Sequence, residues 1–268
     1  MTNITLPEIK PEYEPTRATL HAYALALGAL TRTRGVPHPK WWHLGLKVRH
    51  EGLATDPLPL PDGGSLAITM DLRHHEIVLR SSTGWELRSD LRSAGTGTEL
   101  ADRMFDAVSE LGLEGPYDRS RFENDDPRTY DPAAAEVYFE AFVAVNTIFE
   151  RRRLSLGDRV SPIQVWPHGF DLAFDWFGSR IEEEGGERVS PEVNLGFYPG
   201  GIPYFYSNPW PFDSSLVGSP LPHGAQWHLE GWQGTMLPYA AVRAGDAATR
   251  LLDYARAVFD LATPGLGV

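Results

Sequence analysis

The spacing of apolar residues changes along this chain from a helical period to short runs typical of strands. This change is the feature that most constrains the fold. Between residues 20 and 30 apolar residues recur three or four positions apart, which is the spacing of one helix face. Between residues 66 and 91 they form short runs separated by the tight turns Arg73–His75 and Thr83–Gly84. Connections this short join antiparallel strands, because parallel strands need a long crossover. The sequence therefore predicts an α+β fold, with antiparallel sheets flanked by helices.

The same order of elements occurs twice along the chain. A helix, about four strands and a helix occupy residues 12–113, and a similar series occupies residues 131–263. Residues 114–130 are polar and acidic without periodicity, which is typical of a surface loop. We predict a single domain over residues 1–268. Its halves are either a true pseudo-repeat or the ordinary alternation of an α+β chain, which can be cut into similar halves.

Strand and helix signals give the predicted boundaries. Strands are predicted at Trp41–His50, Leu66–Leu72, Glu76–Ser81, Trp85–Leu91, Pro162–Trp176, Glu192–Tyr198, Tyr204–Ser207 and Ala225–Glu230. Helices are predicted to begin at Thr96, through a capping box with Glu99, and at Asp131 and Asp246. Residues 182–187 are predicted to form a solvated loop, and Asn208–Pro222 a long ordered one.

Composition excludes several classes of protein. The 268 residues include no cysteine, which rules out disulfides, thiolate chemistry and cysteine-ligated metals. A net charge of −12 argues against nucleic acid or an anionic membrane as the main partner. The N-terminus lacks the pattern of a secretory signal, and no apolar run has the length of a membrane span. We expect a cytoplasmic protein, and its oligomeric state is left open.

The segment Trp166–Phe177 places ionisable groups inside an aromatic run. In an ideal strand, Trp166, His168 and Phe170 share one face, and Asp171 lies on the other. Pro167 and Gly169 flank the histidine, so a bulge could bring His168 and Asp171 to one side. Buried ionisable groups need a partner or a purpose, which makes this segment a candidate site. A core histidine bonded to a backbone carbonyl is the alternative.

Other candidate residues lie on predicted strands and on the first helix. Trp42, Leu44, Leu46 and Val48 would share one face of a strand, and His43, Lys47 and Arg49 would form a cationic surface on the other. An outer sheet face in water is the alternative for that surface. Glu192 and Tyr198 share a strand face, and His21 lies at the edge of the apolar face of the first helix.

No nucleotide or hydrolase motif is present. The chain lacks a nucleophile elbow, a P-loop, a dinucleotide fingerprint and a His-Glu-x-x-His helix. A divalent metal could bind if histidines and carboxylates such as His21, His43, Asp171 and Glu192 converge in the fold. None of these residues has the helical spacing of a metal motif.

The chain resembles an uncharacterised, mostly bacterial family, the domain of unknown function numbered 5996. The resemblance is carried by the segments Ala18–His21, Trp42–Leu44, Gly52–Thr55, Phe170–Ala173, Gly196–Gly200 and Leu237–Arg243, and it covers nearly the whole chain. It implies that His21 and His43 belong to the shared pattern. It implies no activity, because none is known for the family.

Three functions fit these observations. The first is an enzyme that acts on a small polar or anionic molecule, with His21, His43, Asp171 and Glu192 as acid–base, ligand-binding or orienting groups. The second is a non-catalytic protein that binds a small molecule in an aromatic pocket. The third is an interaction module that docks through Asn208–Pro222. Residues expected to bind the ligand are Trp42, Lys47, Arg49, Trp166, His168, Phe170, Tyr198 and Tyr206.

Overall fold

The computed structural model describes residues 4–267, and the chain divides into two compact units. The N-terminal unit contains Ile9–Glu140 and Gln164–Phe170. The C-terminal unit contains Ala141–Ile163, the chain from Asp171 onward, and the residues before Ile9. The predicted α+β class is confirmed, since both units combine helices with antiparallel strands. The single domain and the pseudo-repeat stay predictions, and the domain's first three residues and its last lie outside the described part.

The N-terminal unit contains two complete helices, the start of a third, and seven short strands. They are α1 (Glu14–Arg34), α2 (Gly97–Ser109), the first part of α3 (Pro132–Leu154), β1 (Lys47–Val48), β2 (Gly52–Ala54), β3 (Leu58–Pro59), β4 (Ser65–Asp71), β5 (Glu76–Ser81), β6 (Glu86–Asp90) and β7 (Gln164–Trp166). The predicted capping box begins α2: Glu99 N–H donates to the Thr96 hydroxyl over 3.2 Å, and Thr96 N–H donates to the Glu99 carboxylate over 2.8 Å.

Six strands of the N-terminal unit form an antiparallel sheet in the order β1–β2–β4–β5–β6, with β3 paired to β4. The turn between β4 and β5 is stabilised by Asp71, whose carboxylate accepts hydrogen bonds from the backbone N–H groups of Arg73 and His74. Alternate residues of β4, including Leu66, Ile68 and Met70, are fully buried. The strict alternation in the sequence therefore identified this strand correctly.

The predicted strand Trp41–His50 is wrong over most of its length. Trp42–Leu44 form one turn of 3-10 helix, and only Lys47–Val48 pair with another strand. Local contacts favour the turn: His38 N–H donates to His43 Nδ1 over 3.1 Å, and the His38 ring stacks on Trp42 at 4.2 Å. Because His43 is not in a strand, it does not share a strand face with Lys47 and Arg49.

The predicted strand Pro162–Trp176 is interrupted by a turn. β7 ends at Trp166, and Phe170 has a φ of 54°, in the left-handed region. Phe170 N–H donates to the Trp166 carbonyl over 2.7 Å and closes this turn. Pro167 and Gly169, which favour a turn, therefore break the strand instead of forming a bulge, and His168 is exposed.

The C-terminal unit contains the rest of α3, two further helices and seven strands. They are β8 (Asp171–Phe177), β9 (Glu182–Glu184), β10 (Glu187–Val189), β11 (Glu192–Tyr198), β12 (Tyr204–Ser207), β13 (Gln226–His228), β14 (Gly234–Pro238), α4 (Tyr239–Arg243) and α5 (Ala247–Ala262). The strands β9 and β10 form a hairpin where a loop was predicted, and β14 was not predicted. Strands β11 and β12 have the predicted bounds.

The main sheet of the C-terminal unit has the strand order β13–β14–β12–β11–β8, with antiparallel neighbours. One face is apolar and packs on α3, where Phe142 and Phe149 contact Phe197 and Phe174 edge to face. The other face carries polar and aromatic side chains from β8, β11 and β12. This second face holds the residues from which the site is built.

The helices do not have the character of membrane spans. The longest ones described, α1 and α3, have 21 and 23 residues. Within residues 4–267, no helix combines the length and apolar character needed to cross a bilayer.

Candidate functional site

The site in the C-terminal unit is built around a tyrosine that reaches across a neighbouring strand. Gly196 on β11 lies opposite Tyr206 on β12 and opposite Ala173 on β8. A Cβ atom on Gly196 would lie only 2.1 Å from Tyr206 Cζ, so the ring lies directly over this glycine. The Tyr206 hydroxyl thereby reaches β8 and donates a hydrogen bond to Asp171 Oδ2. A glycine in the strand interior is required for this close approach.

Three tyrosines and one tryptophan form a pocket around this hydrogen bond. The pocket has a volume of about 230 Å³, and we call it the aromatic pocket; its lining residues are Asp171, Tyr198, Tyr204, Tyr206, Asn208 and Trp232. The ring centroids of Tyr198 and Tyr204 are 5.4 Å apart, and those of Tyr206 and Trp232 are 6.1 Å apart. The Tyr206 and Trp232 rings meet at 68°, so the aromatic surfaces face the pocket from different directions.

Asn208 is held in place by hydrogen bonds to β11. Its backbone N–H donates to Asn194 Oδ1 over 2.7 Å, and the Asn194 amide group donates back to Asn208 Oδ1. The neighbouring Ser207 hydroxyl donates to the Asn194 carbonyl over 2.6 Å. The polar wall of the aromatic pocket is therefore fixed before any ligand binds, which lowers the entropy cost of binding.

The environment of Tyr206 keeps its hydroxyl protonated. Burial raises the pKa of Tyr206 well above its usual value, and the negative charges of Asp171 and Asp175 raise it further. At neutral pH the hydroxyl is thus a hydrogen-bond donor. Asp171 and Asp175 thus place negative charge near the Tyr206 hydroxyl.

His21 is placed by contacts within the N-terminal unit. Its Nε2 donates to the His168 carbonyl over 3.1 Å, and its ring stacks on the buried Phe170 with centroids 5.9 Å apart. Burial lowers the pKa of His21, and repulsion from Arg17 lowers it further. The neutral tautomer with a proton on Nε2 matches these contacts.

His43 is buried in the turn that it helps to close. Its Nδ1 accepts the hydrogen bond from His38 N–H, which leaves the ring proton on Nε2. Burial lowers the pKa of His43, and the charge of Arg32 lowers it further. His43 is therefore neither on the predicted cationic strand face nor on an outer sheet face in water, since its ring is buried and bonded to the backbone.

The remaining predicted residues of the N-terminal unit are held in separate contacts. Lys47 Nζ donates to Gln164 Oε1 over 2.6 Å and lies 3.5 Å from Asp56 Oδ2, whereas Arg49 is exposed. Burial lowers the pKa of Lys47, and Asp56 opposes this shift. The Trp166 ring lies 5.9 Å from the His168 ring. The predicted cationic surface of His43, Lys47 and Arg49 is not formed, because His43 is buried in a 3-10 turn and Lys47 is bonded to Gln164 and close to Asp56.

Three of the predicted residues, Asp171, Tyr198 and Tyr206, line the aromatic pocket. Three others, His21, His168 and Phe170, are in contact in the N-terminal unit. Glu192 does not line the aromatic pocket, because it lies six residues from Tyr198, about 20 Å along β11 at the usual rise per residue. Among the side chains that the structure describes, no three histidines, aspartates or glutamates are grouped so that they could hold a metal ion.

Sequence reasoning missed four residues of this site: Tyr204, Asn208, Trp232 and Gly196. Tyr204 was detectable, because it lies two positions before Tyr206 and must share its strand face. Trp232 was not, because it lies in the connection between β13 and β14 and no periodicity applies there.

The fold and the site define an α+β protein with a small aromatic pocket on the polar face of an antiparallel sheet. The chain belongs to a family of unknown function, DUF5996, whose model matches residues 6–266. No curated protein and no solved structure matches the chain. The family confirms the resemblance noted in the sequence and assigns no activity.

Proposed function

We propose that the protein binds a small organic cation, such as a quaternary or primary ammonium compound, in the aromatic pocket. The observation that carries the proposal is the arrangement of the four rings that line this pocket, whose successive planes meet at 41°, 63° and 68°. The face of an aromatic ring is electron-rich and attracts cations, and cages of several rings recognise ammonium groups. A pyranose sugar would instead place one of its apolar C–H faces against a single flat aromatic surface.

Charge supports the same ligand class. Asp171 lines the aromatic pocket, and Asp175 lies four residues further along β8, on the same side of the sheet. The chain as a whole carries a net charge of −12. Negative potential attracts cations over distances of about a Debye length and raises their rate of association.

The size of the aromatic pocket limits the ligand. Its volume of about 230 Å³ is below the range of about 300–1,000 Å³ that is typical of pockets for drug-sized molecules. A metabolite of the size of choline fits this limit. The Tyr206 hydroxyl and Asn208 supply hydrogen-bonding groups for a polar substituent on the ligand.

A binding experiment with matched probes tests the proposal. Choline, tetramethylammonium and ethanolamine are titrated into the full chain by isothermal titration calorimetry. The control is the uncharged carbon analogue of choline, in which carbon replaces nitrogen. We expect a cation to bind at least tenfold more tightly than the analogue. Equal binding of the analogue, tighter binding of glucose, or no binding of any cation at millimolar concentration would each overturn the proposal.

Paired variants locate the ligand. Tyr204→Ala removes a ring and is expected to weaken binding about five- to thirtyfold, because one cation–π contact contributes about 1–2 kcal/mol. Tyr204→Phe keeps the ring and should bind nearly as well as the native chain. If the two variants bind equally, the ring face does not hold the cation.

A second candidate is an enzyme that uses the same pair of residues. The observation in its favour is the hydrogen bond from Tyr206 to Asp171 inside the aromatic pocket, since a protonated tyrosine can act as a general acid. Proton NMR of a bound cation during long incubation separates the two functions. New signals that vanish with Tyr206→Phe support catalysis, whereas an unchanged spectrum supports binding alone.

A further inference from the structure

The N-terminal unit contains a second pocket, with a chemistry unlike that of the aromatic pocket. It has a volume of about 230 Å³, and we call it the cationic pocket. Its polar lining residues are Arg32, Ser120, Arg121 and His168. Its apolar lining comes from Leu25, Ala29, Leu44 and Pro167, together with the backbone at Gly28. Each of these residues belongs to the N-terminal unit.

One face of α1 builds a wall of the cationic pocket. Leu25, Gly28, Ala29 and Arg32 have the three- and four-residue spacing that places side chains on one helix face. Gly28 lets the turn after β7 approach this face, since a Cβ atom there would lie 2.8 Å from Pro167 Cβ. The wall is thus formed by close packing of a helix against a turn, and the pocket keeps its shape without a ligand.

Two guanidinium groups line the cationic pocket. Arg32 lies over the Trp41 ring, 5.2 Å from its centroid, and this contact directs the side chain. No carboxylate that the structure describes lies at ion-pair distance from Arg32, whereas Arg121 lies 3.1 Å from Asp118. Burial lowers the pKa of Arg32, repulsion from Arg121 lowers it further, and Asp118 opposes the shift. One carboxylate therefore faces two arginines, which leaves a positive charge for an anion to neutralise.

We propose that the cationic pocket binds a small carboxylate with an apolar body. Two planar guanidinium groups match the geometry of a carboxylate, which they can hold through paired hydrogen bonds. The leucine, alanine and proline side chains of the lining would cover the apolar body. An inorganic anion would leave this apolar lining without a contact. The proposal does not depend on the ligand of the aromatic pocket.

The probes for this test are benzoate, its neutral isostere benzamide, and inorganic phosphate. Each is titrated into the full chain at low ionic strength, and binding is followed by calorimetry. We expect benzoate to bind at least tenfold more tightly than either of the other two. Equal binding of benzamide would show that the arginines do not recognise charge. Preferential binding of phosphate would show that the apolar lining plays no part. Either result overturns the proposal.

Variants assign the binding to the two arginines. Arg32→Gln and Arg121→Gln are each expected to weaken benzoate binding at least tenfold. Arg119→Gln is the matched control. Arg119 and Arg121 belong to one 3-10 turn, Arg119–Arg121, but Arg119 pairs with Asp102 and Glu123 outside the cationic pocket. Arg32→Lys keeps the charge without the planar fork and should give intermediate affinity. Unchanged affinity in both glutamine variants, or an equal loss in Arg119→Gln, refutes the assignment.

A readout from the other pocket separates the two proposals. Choline affinity is measured in the same variants and should stay within twofold of the native value, which also shows that they fold. A loss of benzoate binding with choline binding retained supports the cationic pocket by itself. If choline does not bind the native chain, the fold of each variant is checked by circular dichroism and thermal unfolding.

Discussion

Replacing Gly196 by alanine tests the geometry on which the aromatic pocket depends. The added Cβ atom would lie 2.1 Å from Tyr206 Cζ and 2.5 Å from its hydroxyl oxygen. Ordinary carbon contacts begin at about 3.5 Å, so the ring must move by more than an ångström. A shift of this size takes the hydroxyl away from Asp171.

The expected cost follows from the contacts that are lost. A hydrogen bond to a charged group contributes about 1.5–3 kcal/mol, and overpacking adds about 1–3 kcal/mol. Replacing a strand glycine by alanine also stabilises the folded chain by about 0.5–1 kcal/mol, which offsets part of this loss. We therefore expect Gly196→Ala to lower the free energy of unfolding by about 1.5–5.5 kcal/mol, measured by urea denaturation. Gly265→Ala is the control, because its Cβ atom would meet nothing within 4 Å.

A double-mutant cycle identifies the cause of the loss. In a Tyr206→Ala background the clash is absent, so Gly196→Ala should cost nothing and should even stabilise the chain slightly. The reasoning is refuted if Gly196→Ala has native stability, or if its cost is the same with and without the Tyr206 ring. In either case the ring would not depend on the glycine for its position.

Two further predictions concern pH. Because the folded pKa of Tyr206 is raised, chiefly by burial and then by Asp171, the unfolded chain loses this proton first as pH rises above about 10. As pH rises above about 10, stability should therefore fall more steeply in the native chain than in Tyr206→Phe, and equal slopes would contradict this. Because the pKa of His21 is lowered, chiefly by burial, the unfolded chain takes up this proton first as pH falls below about 6.5. His21→Gln keeps a donor for the His168 carbonyl but does not titrate, so its urea midpoint should fall less on acidification than that of the native chain.

The fold was predictable where one face of an element is buried and the other is not. Leu66, Ile68 and Met70 alternate with less buried residues along β4, and that burial pattern is what the sequence pattern reports. Prediction failed at Trp41–His50, where the residues also alternate. There a hydrogen bond and a ring stack involving His38 stabilise a turn, and apolar periodicity does not register such contacts.

For the candidate site, the sequence predicted only which face of its strand each residue lies on. Because alternate residues of a strand lie on opposite faces, the sequence places Asp171 on the polar face of β8 and Tyr198 on the polar face of β11. This alternation does not show which strands are neighbours. The strand order β12–β11–β8 brings these residues together, and it depends on pairing between segments distant in sequence. Arg32 and Arg121 meet for the same reason, with residue 121 in a stretch that has no periodicity at all.

Gly196 is the residue of β11 that best indicates the site. Glycine weakens a strand interior, so its presence there indicates a structural requirement that other residues cannot meet. In a strand that otherwise alternates cleanly, that requirement is close approach of another group to the backbone. The approaching group must come from the facing position on a neighbouring strand, and here it is the Tyr206 ring. A glycine among outward-facing polar residues thus predicts that a large side chain crosses the strand at that point. The side chain so placed reaches a partner two strands away, and a pocket forms around the pair.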